Sequence, residues 1–317
     1  MTPPKISVLL PTYNARAYVG KAIESILSQS DGDFELIIIN DGSTDDTAQV
    51  LAQYSDPRMI VIHQNNLGLP KALNAGIARA RGIYLARQDA DDVSLPQRLA
   101  KQAAFLDQHP EYALVGSGSQ IMVPDGSNPI ATGRYHRHPT ANGQLQVELL
   151  ANNRFVHSSV MIRKSCLKVT GLYSEDPEHF PPEDYDLWLK MARHFCVANL
   201  PEVLLQYLEV PGSISRAKVE LIEQRASKMA QEAILSIPGV NTQPSVIHAF
   251  IIAANGKNNQ LHFSDYLRCL SLLKTVGRSV LARFPEEKTS IAAGEHFLRS
   301  QLHKALIKSL LHRLGII

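Results

Sequence analysis

Three times between Lys5 and Gln88 an unbroken apolar run gives way to apolar residues at helical spacing, and this alternation restricts the fold most. "KISVLL" (Lys5 to Leu10), "FELIIIN" (Phe34 to Asn40), "RMIVIHQ" (Arg58 to Gln64) and "GIYLARQ" (Gly82 to Gln88) read as buried strands. Between them "AYVGKAIESILSQ", "STDDTAQVLAQY" and "GLPKALNAGIARA" read as helices, the second capped by Ser43 or Thr44 with acids in its first turn. Strand and helix at this spacing predict right-handed crossovers and an α/β fold, a Rossmann-like, mostly parallel sheet with helices on both faces. Ligands on such sheets sit beyond the carboxyl ends of the strands. "PTYN", "NDGSTDD" and "QDADD" follow the first, second and fourth strands, so the three clusters are expected to share one crevice.

After Gln108 the pattern is mixed. "YALVGSGSQIMV", "SSVMIRKS" and "LLQYLEV" read as strands, and "GQLQVELLANN" and "EDYDLWLKMARH" as helices. Beyond "PGSISR" the chain reads as helical, which places a boundary near Ser215, with domains 1–215 and 216–317. The charge divides at the same point. Residues 1–215 carry 18 Lys/Arg against 23 Asp/Glu, and the remainder 14 against 7, although the whole chain has a net charge of only +2. An acidic front without a basic aromatic stripe argues against nucleic-acid binding.

Cys166, Cys196 and Cys269 are scattered without zinc or disulfide spacing, which points to a reducing compartment. The N-terminus lacks a signal pattern, and "AFIIAA" (Ala249 to Ala254) is too short to span a bilayer, so a cytoplasmic location is expected.

The chemistry concentrates in Asp89, Asp91 and Asp92. In an extended segment, residues two apart face the same side, so Asp89 and Asp91 are placed to hold one ligand. Two hard oxygen donors suit Mg²⁺ or Mn²⁺ shared with phosphates. A calcium hand fails, because Val93 and Ser94 stand where its ligand and Gly belong. Alternatively Asp92 caps the "SLPQRL" helix while the other two are solvated turn residues. The chain has neither G-x-x-x-x-G-K-[ST] nor G-x-G-x-x-G, so the P-loop and dinucleotide readings lose their support.

The series "LLPTYN", "IIINDGSTDDT", "GLPKALNAGI", "YLARQDADDVSLPQRL" and "PPEDYDLWLKMA", in that order, closely resembles glycosyltransferase family 2. That family comprises inverting nucleotide-sugar transferases of GT-A fold, and the resemblance spans about Lys5 to Ser215. It implies that Pro11 and Tyr13 contact the nucleotide base and that Asp41 accepts from a uracil-like ring N–H. It further implies that Asp89 meets the ribose, that Asp91 and Asp89 hold the divalent ion, and that Asp184 is the catalytic base flanked by Glu183 and Asp186. His157 takes a recurring position near the sugar, and with Asp92 and Glu183 belongs to the expected donor or acceptor pocket.

Three positions depart from the family pattern. Leu73 stands where relatives often carry an Arg, leaving Lys71 to reach the diphosphate. Leu208 and Val210 replace an Arg and a His, so Arg87, His157, Arg163 and Arg216 are the substitutes to consider.

The expected function is transfer of a sugar, from a UDP-sugar in the first instance, to a glycan or lipid-linked acceptor in surface polysaccharide synthesis. A non-catalytic nucleotide-sugar or carbohydrate binder on the same fold is the alternative. A nucleotidyltransferase would want a basic Gly-rich first loop, which "PTYNARAY" is not. In the tail, Leu298, Leu302, Leu306, Leu310 and Leu314 form one row beside Lys304, Lys308 and His312. Such a row either packs on other helices or a second subunit, as in a homo-oligomer, or rests on the inner face of the membrane.

Overall fold

The computed structural model describes residues 3–125, 128–210, 213–257 and 260–314; the side chains of Ile214 and Ser215 are not among those described. The expected break at "PGSISR" therefore begins outside the described residues, as does the end of "NGKNN".

The front of the chain forms β1 (Ile6–Thr12), α1 (Val19–Leu27), β2 (Phe34–Asp41), α2 (Thr47–Leu51), β3 (Met59–Gln64), α3 (Leu69–Arg79) and β4 (Tyr84–Arg87). Next come β5 (Val93–Ser94), α4 (Arg98–Gln108), β6 (Tyr112–Val123), β7 (Ile130–His136) and α5 (Asn142–Glu148). Then follow β8 (Met161–Arg163), α6 (Leu167–Thr170), α7 (Glu183–His194) and β9 (Cys196–Leu208). Helices α8 (Ile214–Ala217), α9 (Val219–Leu235), α10 (Pro244–Ala254), α11 (Phe263–Arg283) and α12 (Lys288–Arg313) complete the chain.

Contacts divide the chain into two units. The first comprises Met1–His138 with Phe155–Ala217, and the second Pro139–Arg154 with Lys218–Ile317. Residues Pro139–Arg154, on the front side of the sequence boundary, cluster with the tail helices.

In the first unit the strands run in the order β3-β2-β1-β4-β8-β6-β9-β5, with β7 also paired to β6. Strands β3, β2, β1 and β4 are parallel, the part that alternation predicts. Beyond β4 the sheet is mixed, with β8 antiparallel to β4 and β6, and β9 parallel to β6. Every residue of β1 and β2 is buried, so neither face meets water and apolar residues run on without alternation. Val19, Ile23 and Ile26 of α1 and Leu99, Ala103 and Leu106 of α4 pack against Ile6, Val8 and Leu36.

The second unit is helical. Buried Leu298, Leu302 and Leu306 belong to its core with Ile247, Phe250, Leu272 and Val276. Gly143 of α5 lets α12 approach closely, since a Cβ there would collide with Ser290 and Ile291. The leucine row of α12 is thus an internal face for three of its five members; Leu310 and Leu314 are exposed.

Several elements differ from the sequence reading, β5 and α6 among them, which it did not foresee. Strand β7 has a largely exposed face and contains a glycine, so it carries no apolar alternation. The last strand begins at Cys196, eight residues before the "LLQYLEV" run. Helix α2 starts at Thr47, so Ser43 and Thr44 do not cap it; the Asp45 carboxylate accepts from Thr47 N at 3.0 Å and from its hydroxyl at 2.5 Å.

Candidate active site

The carboxyl ends of β1 and β2 are tied together by side chains. Asn14, in the left-handed region at φ 49°, accepts from Thr44 N at 2.8 Å and donates its own N–H to Ser43 Oγ at 3.0 Å. This leaves the Tyr13 ring half exposed above buried Pro11. Asp41 is buried. Its carboxylate accepts from Gln64 Nε2 at 2.7 Å, Leu67 N at 2.9 Å and Gly68 N at 2.9 Å, and so holds the loop that starts α3. The next residue, Gly42, has φ 73°, and any Cβ there would collide with Asn66 N. Only glycine fits that turn.

The aspartate loop is built on two buried polar side chains that sequence reasoning missed. Gln88 donates to the carbonyls of Asp89 (3.1 Å) and Asp92 (2.8 Å), and accepts from Ser94 Oγ and Arg98 Nη1. Arg98 is fully buried. It also donates to the carbonyl of Arg87 at 2.5 Å, and burial pushes its guanidinium down to about 9. The available signal was polar: Gln88 ends an apolar strand, and Arg98 lies on the inward face of α4.

Asp89 is partly exposed. Its N–H donates to Ser158 Oγ at 2.8 Å, and its Oδ1 pairs with Arg87 Nη2 at 2.5 Å. Asp91 is pushed up to about 7, first by burial and then by the charge of Asp89. Burial, followed by the charges of Asp91 and Asp89, raises Asp92 well above the usual carboxylate range. Asp92 accepts from Leu208 N at 2.9 Å and does not cap α4, whose cap position is Gln97.

On the opposite side, α7 opens with Glu183, Asp184 and Asp186, all buried. Acids in a first turn face the positive end of the helix dipole. His157 lies between Glu183, 3.4 Å from Nδ1, and the Tyr173 hydroxyl, 3.0 Å from Nε2. Trp188 closes the cluster, its ring centroid 5.9 Å from that of His157. Asn74 of α3 holds Tyr173 through both its backbone N–H and its carbonyl, at 3.2 and 3.0 Å. Asp184 Oδ1 accepts from Tyr185 N at 2.8 Å, while Asp186 pairs with Lys190 at 2.5 Å.

The two sides meet at consecutive residues, Ser158 holding Asp89 N and His157 holding Glu183 and the Tyr173 hydroxyl. Burial raises that hydroxyl first. Arg87 opposes that shift, and Glu183, Asp184 and Asp89 add to it. The structure thus brings Asp89, Arg87, Glu183, Asp184 and His157 around one buried phenol.

Lys71 is exposed on α3 and Leu73 is buried. Arg163 is not at the site. It pairs beside Tyr84 at the amino end of β4, with its guanidinium spent on the carbonyls of Leu106, Tyr112 and His109. Arg216 shares Glu209 Oε2 with Arg134, at 2.7 and 2.6 Å. Arg87 is almost fully enclosed, and its Nη1 and Nη2 already donate to the Gln88 carbonyl and to Asp89 Oδ1.

The profile of the family described as Glycosyl transferase family 2 matches residues 7–170. The chain belongs to glycosyltransferase family 2. This family 2 transferase is 34% identical over 206 residues to the amylovoran biosynthesis glycosyltransferase AmsE of Erwinia amylovora, a match covering 63% of this chain and 74% of AmsE. Residues 1–349 of S. aureus TarS in complex with UDP-GlcNAc align with a TM-score of 0.61 and 18% identity, covering 98% of this chain and 92% of TarS. The Pyrobaculum calidifontis mannosyltransferase PcManGT, in complex with GDP-Man and Mn²⁺, aligns with a TM-score of 0.54 and 16% identity, covering 99% and 89%. At such identities the structural likeness establishes the GT-A fold, and the family match establishes a glycosyltransferase.

Proposed function

We propose that this family 2 transferase moves a sugar, with inversion, from a nucleoside diphosphate, UDP before others, to a hydroxyl of a glycan or lipid-linked acceptor in surface polysaccharide synthesis. The observation that carries the reading is that two consecutive residues link the two carboxylate clusters: Ser158 Oγ holds Asp89 N at 2.8 Å, and His157 holds Glu183, the neighbour of Asp184, at 3.4 Å.

On the donor side, the half-exposed Tyr13 ring packs on the base beside Pro11. A carboxylate offers about four acceptor positions, and Asp41 uses three internally, so the fourth is left for a uracil N3–H. Asp89 Oδ2 has no partner among the described residues and accepts from the ribose or meets the ion. Lys71 reaches the diphosphate. The residues present fit a hard divalent cation: Asp91 carries a carboxylate that burial and Asp89 push up to about 7, and a cation beside the pair would favour its ionised form. Asp89 and Asp91 would hold Mn²⁺ or Mg²⁺, which when bound neutralises charge on the leaving diphosphate. Among the described residues, no group of three or more His, Cys, Asp or Glu is placed to hold a metal. A shell completed by phosphate oxygens and water is consistent with that.

On the acceptor side, Asp184 takes the hydroxyl proton as the oxygen attacks the anomeric carbon. The new C–O bond forms as the bond to the diphosphate breaks, and the diphosphate leaves with that electron pair. His157 and Tyr173 hold Glu183 beside Asp184, and Asp92 holds the floor of the donor loop through Leu208 N.

Peripheral contact with an anionic membrane is proposed for the end of α12 alone. There Ile307, Leu310 and Leu314 are exposed beside Lys304 and Lys308. No helix among the described residues is long and apolar enough to cross a membrane.

The test is a thermal-shift panel of nucleotide sugars with Mn²⁺ and with EDTA, on the wild type and Asp91→Asn. A ligand that binds only the native state raises the midpoint. The reading expects a UDP-sugar to do so in the wild type with Mn²⁺ and not in Asp91→Asn; identical shifts in the two proteins would remove the metal role.

A further inference from the structure

We infer that Arg87 is a positioning residue that fixes the ligand-facing geometry of Asp89 without touching the ligand. The inference rests on the sugar-transfer reading above and assigns to that site a part its two carboxylates do not explain.

Arg87 is the last residue of β4, and its side chain is only 2% exposed. Its Nη1 donates to the carbonyl of Gln88, and its Nη2 to Asp89 Oδ1 at 2.5 Å. Nε is buried and has no hydrogen-bond partner among the described residues. Leaving such a donor unmatched is costly, and an apolar side chain of similar volume would fill the space without that cost. Packing therefore does not account for an arginine here.

Geometry does. The planar guanidinium grips a backbone carbonyl and the next residue's carboxylate together, which fixes the direction of the Asp89 side chain as a flexible ammonium cannot. The Asp89 backbone is fixed separately by Ser158 Oγ, and the Arg87 carbonyl by Arg98. With Oδ1 engaged and the backbone pinned at both ends, Oδ2 is the oxygen left to a ligand. An exposed arginine serving the diphosphate directly would need a free face, and this one has none.

The test uses the full-length protein and compares wild type, Arg87→Lys, Asp89→Asn and the Arg87→Lys/Asp89→Asn pair, with Ser158→Ala as a second way to release Asp89. Circular dichroism and the thermal midpoint report folding. Calorimetry with UDP reports binding in Mn²⁺ and in EDTA, and donor hydrolysis gives kcat and KM separately. Arg87→Lys keeps the charge but loses the fork, so it is expected to lose at least about tenfold in kcat and in Mn²⁺-dependent UDP affinity. Affinity in EDTA should stay within about twofold of wild type, because no ligand contact has been removed. Added to Asp89→Asn, the Lys substitution should cost nothing more, since both changes break one link. Ser158→Ala should show the same signature, and Arg87→Gln, which removes the fork and the charge together, decides the matter if Arg87→Lys does not fold.

Wild-type turnover in folded Arg87→Lys would overturn the inference, since charge alone would then suffice. So would a loss of UDP affinity in EDTA, which would make Arg87 a direct phosphate ligand, or additive losses in the double variant. A wild type that binds no nucleotide would instead contradict the sugar-transfer reading, and the inference with it. A wild type that binds while Arg87→Lys and Ser158→Ala bind equally well would overturn the inference alone.

Discussion

The backbone N–H of Leu208 donates to the carboxylate of Asp92 at 2.9 Å, and this bond joins the loop after β4 to the end of β9. Asp92 therefore works inward, on the protein itself. Asp92→Ala should destabilise the first unit by about 1–3 kcal/mol, because it leaves a buried donor unmatched. Asp92→Asn keeps an acceptor and removes a carboxyl group already raised by burial, so it should cost much less. Urea denaturation of both variants checks this; equal losses would mean that the charge, not the acceptor, is what the fold needs.

A second buried carboxylate supplies a pH dependence. Glu35 of β2 accepts from Ser7 Oγ at 2.7 Å, Arg81 N at 2.7 Å and Arg81 Nε at 2.8 Å. Burial acts to raise it, and these donors with the Arg81 charge outweigh burial, holding it below its ordinary value of 4.5. A lowered acid stabilises the fold above its unfolded value, and that contribution is lost as pH falls through the folded one. Glu35→Gln should thus lose about 1–3 kcal/mol at pH 7 and progressively less below pH 4.5. A pH-independent difference would contradict the assignment.

The tail offers a contrast between α12 and the residue that follows it. Leu302 is fully buried and Leu314 is 72% exposed, although both lie in the same i, i+4 row. Leu302→Ala should cost about 2–5 kcal/mol of stability. Leu314→Ala should change stability by less than about 0.5 kcal/mol. Sedimentation with anionic liposomes then isolates any membrane role. Leu314→Ala should weaken binding that high salt also removes, and liposome binding unchanged by either treatment would discard that role.

Much of the first unit was legible because β1 to β4 and the helices between them follow their own periods, and both periods survive in the sequence. Strand β5 is only two residues long, and β7 pairs with β6 alone, so their existence depends on partners and not on any local pattern. The same holds for Pro139–Arg154. Its helical pattern is plain, but which helices it joins is decided by a close approach at Gly143 that no spacing announces. In the site, the aspartates and the acids of α7 stand out as charges grouped in polar loops. Arg98, Asn74 and Tyr173 do not, because each is a single polar residue inside an otherwise ordinary segment, and each reaches a partner 11 or more residues away in sequence. Gln88 is masked by the charges beside it and works on the carbonyls of its own loop. Arg163 misled for the converse reason: its charge suggested a ligand, and three carbonyls at the other end of the sheet claim it.

Asp184 is proposed to remove the acceptor proton, and single-turnover transfer by Asp184→Asn is the test of that role. The amide is nearly the same shape but accepts no proton, so donor affinity measured by calorimetry should stay within about twofold of wild type. The transfer rate should fall at least about a hundredfold, the usual range for loss of a general base. A near-normal rate with donor binding intact would contradict the account and move the base to another carboxylate of α7.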